Sequence, residues 1–199
     1  MKDQIPLGIT DDQVALGSHL IHFWQNEEEF ERGVRFLEPG IANESQYCVL
    51  IGHDEANQRV LEILRKTCGD LDRVLREGRL VIVGRESSAS AMLANIDAAF
   101  AAVVRKRATV IRCLGTFGKG EAPGRGAYEQ IELENGATAL ARRYPCVIVC
   151  MFDINTMSGW LVLKAGFGTH PLAVCGHALR QNPYFTSDEN ALPVRRAAQ

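Results

Sequence analysis

The chain has 199 residues, is 46% hydrophobic and 23% charged, and carries a formal net charge of −2 with a pI near 6.2. That composition supplies one substantial core, so one domain is expected. It offers no bulk attraction to nucleic acid or anionic lipid, where Lys and Arg must neutralise phosphates. The opening MKDQIPLGITDDQ carries acids, and no segment reaches the roughly 18 uncharged apolar residues of a membrane span, so a cytoplasmic protein is expected. Its partners should be proteins or small molecules. Six cysteines (Cys48, Cys68, Cys113, Cys146, Cys150, Cys175) lie scattered without a CxxC pair, and in a reducing compartment such thiols behave as small hydrophobes.

Residues 1–17 read as an N-terminal extension, 18–185 as the domain and 186–199 as a polar tail, with disorder expected at both ends. His19–Trp24 is apolar and aromatic, and reads as the first strand of the domain. Asn26 caps the next helix, with Glu29 three residues on to form a capping box; Phe30, Val34, Leu37 and Ile41 share its inner face until Pro39-Gly40 breaks it. Tyr47–Ile51 is the second strand, Asp54 and Glu55 start a helix buried through Val60, Leu61 and Leu64, and Leu71–Leu75 makes a short helical turn. Leu80–Val83 lacks polar alternation and is expected to be a central strand covered on both faces. A helix from the Ser87/Ser88 cap through Val103 follows, then a strand over Thr109–Leu114, a glycine-rich loop, a helix over Tyr128–Arg143 and a strand over Cys146–Phe152. Thr156 is expected to cap a helix through Trp160 and Leu163 before a short strand, Leu172–Cys175. This alternation predicts an α/β fold of three layers, a mostly parallel central sheet with helices on both faces.

In such sheets phosphates commonly sit on the helix after strand one. Here that corner reads Trp24-Gln-Asn-Glu-Glu-Glu-Phe30, without glycine, lysine or a Ser/Thr for a metal, and with three glutamates in the first helical turn. It reads as closed to phosphate. The later stretch Gly115–Gly126 contains Gly118-Lys119, but Gly115 stands too close to Lys119 and Gly120 replaces the magnesium-binding hydroxyl. A surface loop and a lid over a ligand pocket both remain open for it.

His19, His22, Phe23 and Trp24 ahead of the acidic Glu27–Phe30 turn, then Cys150-Met-Phe-Asp153, Thr169-His-Pro171 and Asn182-Pro-Tyr-Phe185, resemble in order and spacing the signatures of the MEDS sensory domain. The resemblance runs from about Ser18 to Phe185. It implies a RecA/KaiC-like fold whose P-loop is lost, and a non-catalytic role in sensing small organic compounds such as hydrocarbon derivatives. It also implies a signalling partner, a histidine kinase or a transcription regulator, with no cofactor. A homodimer is the base expectation for such a sensor.

The candidate ligand-binding residues are His19, His22, Trp24, Arg112, Cys150, Asp153, His170, Asn182 and Tyr184. A strand period of two puts His19 with Ile21 and Phe23 on one face and His22 with Leu20 and Trp24 on the other, so the two histidines cannot share a metal. His19 matches the family's opening histidine, although a buried histidine satisfied by a backbone carbonyl is the structural alternative. Cys146, Ile148, Cys150 and Phe152 share a face, and Asp153 ends its strand where sheet ligands bind, unless it merely caps the next helix. Arg112 interrupts an apolar strand: it either faces solvent from an edge strand, or is buried against Asp153 or an anionic ligand group. His170-Pro171 and Asn182-Pro183-Tyr184 are turn chemistry first. No resident metal is expected; His19, Cys150 and His170 would make a zinc or copper set only if the fold brought them together. The acidic helix from Asn26 to Glu38 is an alternative protein-docking surface.

Overall fold

The computed structural model describes residues 3–117 and 127–186 of the chain. β1 (Gln4–Pro6) and β2 (Gln13–Ala15) form a small antiparallel ribbon, and β3 (Ser18–Trp24) then enters the main sheet. α1 (Glu27–Val34), a 3-10 turn over Arg35–Leu37 and α2 (Glu38–Ala42) lead to β4 (Gln46–Ile51). α3 (Asp54–Thr67) and α4 (Leu71–Arg76) precede β5 (Leu80–Val83), and α5 (Ala89–Arg105) precedes β6 (Val110–Phe117). After α6 (Ala127–Arg143) and β7 (Cys146–Asp153), α7 (Gly159–Leu161) runs into a π-helical stretch, Val162–Phe167, before β8 (Leu172–Cys175) and β9 (Ala178–Gln181).

The seven-stranded sheet has the order β5-β4-β6-β7-β3-β8-β9, parallel throughout except for the final β8–β9 hairpin. Helices cover both faces, so the three-layer α/β architecture is what the chain adopts. One apolar layer joins Phe30, Val34 and Leu37 of the first helical segment and Val60 and Leu64 of α3 to Leu50, Val149 and Met151 of the sheet. The other joins Met92, Ile96 and Phe100 of α5 and Leu133, Leu140 and Ala141 of α6 to Ile21, Ile148, Cys150 and Phe152. Alternation along β3 and β7 sorts their residues as the period of two requires.

The helix breaks earlier than Pro39-Gly40. Proline has no N–H to give the carbonyl of Arg35 and its ring crowds that carbonyl, so the helix tightens over Arg35–Leu37 and Pro39 falls in the first turn of a new helix, where a missing N–H costs nothing. Gly8 also presses here: its φ is +84°, and a Cβ on it would stand 3.0 Å from the Arg35 carbonyl oxygen. β5 is an edge strand and not a central one, with Ile82 43% exposed, because an unbroken apolar run reports burial tendency but not neighbours. Ser158, not Thr156, caps α7, through its hydroxyl on the Leu161 N–H. The disorder expected at the amino end is also corrected: from residue 3 the chain is ordered, with Ile5, Leu7, Ile9 and Val14 buried. Of the expected polar tail, residues 187–199 lie outside the described residues, as do 118–126 of the glycine-rich stretch with Lys119 and Arg125.

At the start of α1, Asn26 Oδ1 accepts from the Glu29 N–H at 3.0 Å, and Glu29 reaches back to the Gln25 N–H at 2.9 Å, one residue before the position a capping box uses. Asn26→Ala is expected to cost about 1 kcal/mol, read as a shift of the urea midpoint. An unchanged midpoint would show that water replaces the cap.

Candidate functional site

Four fully buried side chains meet on the α6 face of the sheet: His19 from β3, Glu134 from α6, Cys150 from β7 and His170 from the turn before β8. β3 and β7 pair in parallel with Ile21 opposite Cys150, which leaves His19 one pleat away on the same face. His19 Nε2 lies 3.2 Å from Cys150 Sγ and 3.4 Å from Glu134 Oε2; His170 Nε2 lies 3.4 Å from the same carboxylate oxygen, and Cys150 Sγ 3.2 Å from it. The two imidazole rings tilt at 42° with centroids 4.0 Å apart.

Each member is held from behind. Thr138 donates its hydroxyl proton to the Thr169 carbonyl at 3.0 Å, so it accepts from His19 Nδ1 at 2.8 Å. His170 Nδ1 donates to the Gly166 carbonyl at 2.7 Å, within the π-helical stretch that delivers it, and Gln130 Nε2 donates to Glu134 Oε1 at 2.6 Å. Asn182 pins the adjoining turn by donating to the carbonyls of Phe167 and His170, both at 2.6 Å.

Burial pulls the His19 pKa down to about 4, helped by the charge of His170 and opposed by Glu134. Burial pushes the Glu134 carboxyl up, but contact with His170 and His19 in their protonated forms outweighs it and holds the group at about 2. The Cys150 thiol is pushed well above its ordinary range by burial and by the Glu134 charge, so alone it is a neutral thiol and not a poised nucleophile. A void of about 10 Å³ borders Glu134 and Cys150 beside Gly115, too small for an organic molecule.

Space of that larger size exists at the carboxyl edge of the sheet. A groove of about 470 Å³ runs between the starts of α1 and α3, lined by Trp24, Phe30, His53, Arg59 and Thr116 among others. Beside it, the helix after β4 packs on one face of the sheet and the helix after β6 on the other, the switch point at which α/β sheets open a crevice. Trp24 packs edge-on against Phe30, and the Arg59 guanidinium lies 3.8 Å from the Phe30 ring centroid. The Trp24 indole N–H is buried with no hydrogen-bond partner among the described residues. Glu27 pairs with Arg59 and Glu28 with Arg32, so the acidic turn of α1 is partly neutralised within the chain.

A family model described as the MEthanogen/methylotroph, DcmR Sensory domain matches residues 18–171. The chain belongs to the MEDS family. It is therefore a sensory domain by descent, and the matched span contains all four members of the buried cluster and every lining residue of the groove. No curated protein matches the chain. No helix among the described residues is long and apolar enough to cross a membrane.

Within this MEDS domain the sequence-derived candidates separate. His19, Cys150 and His170 come together, and Trp24 lines the groove. His22 is buried on the opposite face from His19, its Nε2 donating to the Glu29 carbonyl at 2.9 Å. Arg112 is not the solvent-facing residue of an edge strand, nor the partner of Asp153. It is buried in a central strand and turns to the carbonyls of Pro6 and Phe36 and to Gln46, while Asp153 ends the neighbouring strand at the opposite edge of the sheet. Asp153 folds the turn that follows it, accepting from the Asn155 N–H at 3.0 Å. Asn182 and Tyr184 fall beyond the matched span; the Asn182 side chain reaches the cluster only at the backbone carbonyl of His170, and Tyr184 is 71% exposed against Phe167.

Glu134 escaped sequence reasoning. The signal was present: Gln130, Glu134 and Thr138 form a polar stripe at four-residue spacing, flanked by the buried Leu133, Ala137 and Ala141. Polar residues at core positions of a helix require partners across the interface.

Proposed function

We propose that this MEDS domain is a non-catalytic sensor that takes a small organic molecule, of the hydrocarbon-derivative class, into the strand-end groove and regulates a signalling partner, a histidine kinase or a transcription regulator. The reading rests chiefly on the groove: about 470 Å³ at the switch point, walled by Trp24 and Phe30, with the unpartnered indole N–H of Trp24 as an orienting donor. A RecA/KaiC-like ancestry with its phosphate site lost fits the same corner, where Asn26 occupies the Glu29 N–H and three glutamates crowd the first turn of α1. A non-catalytic role is in keeping with the thiol chemistry, since Cys150 beside His19 is buried and, without a metal, neutral and no ready nucleophile.

A thermal-shift panel of short-chain alcohols, haloalkanes and amines tests it. A molecule present at about 100 times its Kd should stabilise the chain by about 2.7 kcal/mol and shift the fluorescence of Trp24. Trp160→Phe removes the only other tryptophan, and Ala56→Leu fills the groove from a helical position that tolerates leucine. Stabilisation lost in Ala56→Leu is the expected result. Stabilisation that survives it places the ligand elsewhere, and a panel with no stabilising member rejects the reading.

A further inference from the structure

We infer that His19 Nε2, His170 Nε2, Cys150 Sγ and Glu134 Oε2 form a tetrahedral site for one divalent transition-metal ion of borderline softness, Zn²⁺ foremost. The site is separate from the groove, and the argument for it is independent of the ligand reading. Metal bonds of about 2.0–2.3 Å to nitrogen, oxygen and sulfur make the edges of a tetrahedron about 3.3–3.7 Å long. Four of the separations among these donors are 3.2, 3.2, 3.4 and 3.4 Å, and a ligand atom from each of the four residues lies within 4.8 Å of the others.

Tautomers point the same way. Thr138 accepts a hydrogen bond from His19 Nδ1–H and the Gly166 carbonyl accepts one from His170 Nδ1–H, which leaves each ring, when neutral, a lone pair on Nε2, aimed inward. His170 Nε2 is buried with no hydrogen-bond partner among the described residues and lies 3.4 Å from a carboxylate oxygen, so with a neutral ring acceptor faces acceptor. A cation between them turns that opposition into two bonds. The backing by a carbonyl, a threonine and Gln130 is what orients metal ligands elsewhere.

Charge balance agrees. Two neutral imidazoles, one thiolate and one carboxylate around a dication sum to zero, and neutrality matters where every ligand is fully buried. Binding displaces the Cys150 proton to solvent and changes no oxidation state. The donor mix of nitrogen, sulfur and oxygen suits Zn²⁺ better than Mg²⁺ or Ca²⁺, which favour all-oxygen shells.

The test is elemental analysis of the purified full chain, followed by chelator treatment and titration with Zn²⁺ and Co²⁺. One ion per chain is expected, and the Co²⁺ form should show intense tetrahedral visible bands with a thiolate-to-cobalt charge-transfer band. Cys150→Ser should abolish the charge-transfer band and weaken Zn²⁺ binding at least about 100-fold, and Glu134→Gln should weaken it without removing the band. Cys175→Ser, at an exposed thiol outside the cluster, should change neither. No stoichiometric binding by the wild-type chain overturns the proposal and leaves a Glu134–His170 ion pair as the account of the cluster. Loss of binding in Cys175→Ser, or its retention in Cys150→Ser, overturns it equally.

Discussion

Arg112→Ala is expected to lower the unfolding free energy by about 3–5 kcal/mol, the largest loss of any single substitution considered for this protein. Arg112 is fully buried, and its guanidinium donates to Gln46 Oε1 at 3.0 Å, the Phe36 carbonyl at 3.1 Å and the Pro6 carbonyl at 3.0 Å. Truncation opens a cavity beside Gly40 and Cys48 and strands acceptors in an apolar layer. It also cuts a polar tie between the sheet and the β1–β2 ribbon, so amide exchange at Ile5 and Val14 should quicken more than exchange in β4 or β7. Arg112→Met separates the two causes: methionine keeps much of the stem volume but leaves the carbonyls unpaired, at about 1–3 kcal/mol. Urea unfolding at constant m reads both variants. An alanine variant within 1 kcal/mol of wild type would mean that water enters and satisfies the carbonyls, contrary to the packing described.

The second large effect is on acid stability. In the chelator-treated chain, stability should fall by about 3 kcal/mol between pH 6.5 and pH 4, because His19 is held near 4 when folded and returns to 6.5 when unfolded. The sign follows from proton counting: across that window the unfolded chain binds more protons, so the contribution is complete above 6.5 and lost as the pH falls through the folded value. His22, lowered by burial on the other face, adds in the same direction. Glu134 works lower down; its contribution is present above 4.5 and lost as the pH falls toward 2. His19, Glu134, Cys150 and His170 touch one another, so the steps belong to the cluster and not to single residues. His19→Gln should flatten the upper part of the profile. A urea midpoint that stays level from pH 7 to pH 4 would show that the cluster does not exclude water as its burial requires.

These two effects sit on opposite faces of one sheet and differ in how far local pattern foretold them. For His19 the period of two placed the ring on one face with Ile21 and Phe23, which the fold turns toward α6, because strand geometry is a local rule. For Arg112 the same rule gave a face but no partner. Its acceptors lie in Pro6, Phe36 and Gln46, which no spacing along β6 could select, and the N-terminal ribbon that supplies one of them read as an extension. β9 and the edge position of β5 were equally hidden, since apolar runs do not encode strand order.

The sequence by itself determined the alternation of strands and helices, the cap at Asn26 and the faces of β3 and β7, because each rests on propensity or periodicity within one segment, while the resemblance to the MEDS signatures made candidates of three of the four cluster members. Only the tertiary structure decided that those three meet, that Glu134 completes them and that Arg112 braces the ribbon, because contacts between segments many residues apart depend on sheet order and register. The phosphate corner of Trp24 to Phe30 shows both sides of that division. Its residues read as closed to phosphate, and the fold makes the same corner one wall of a groove.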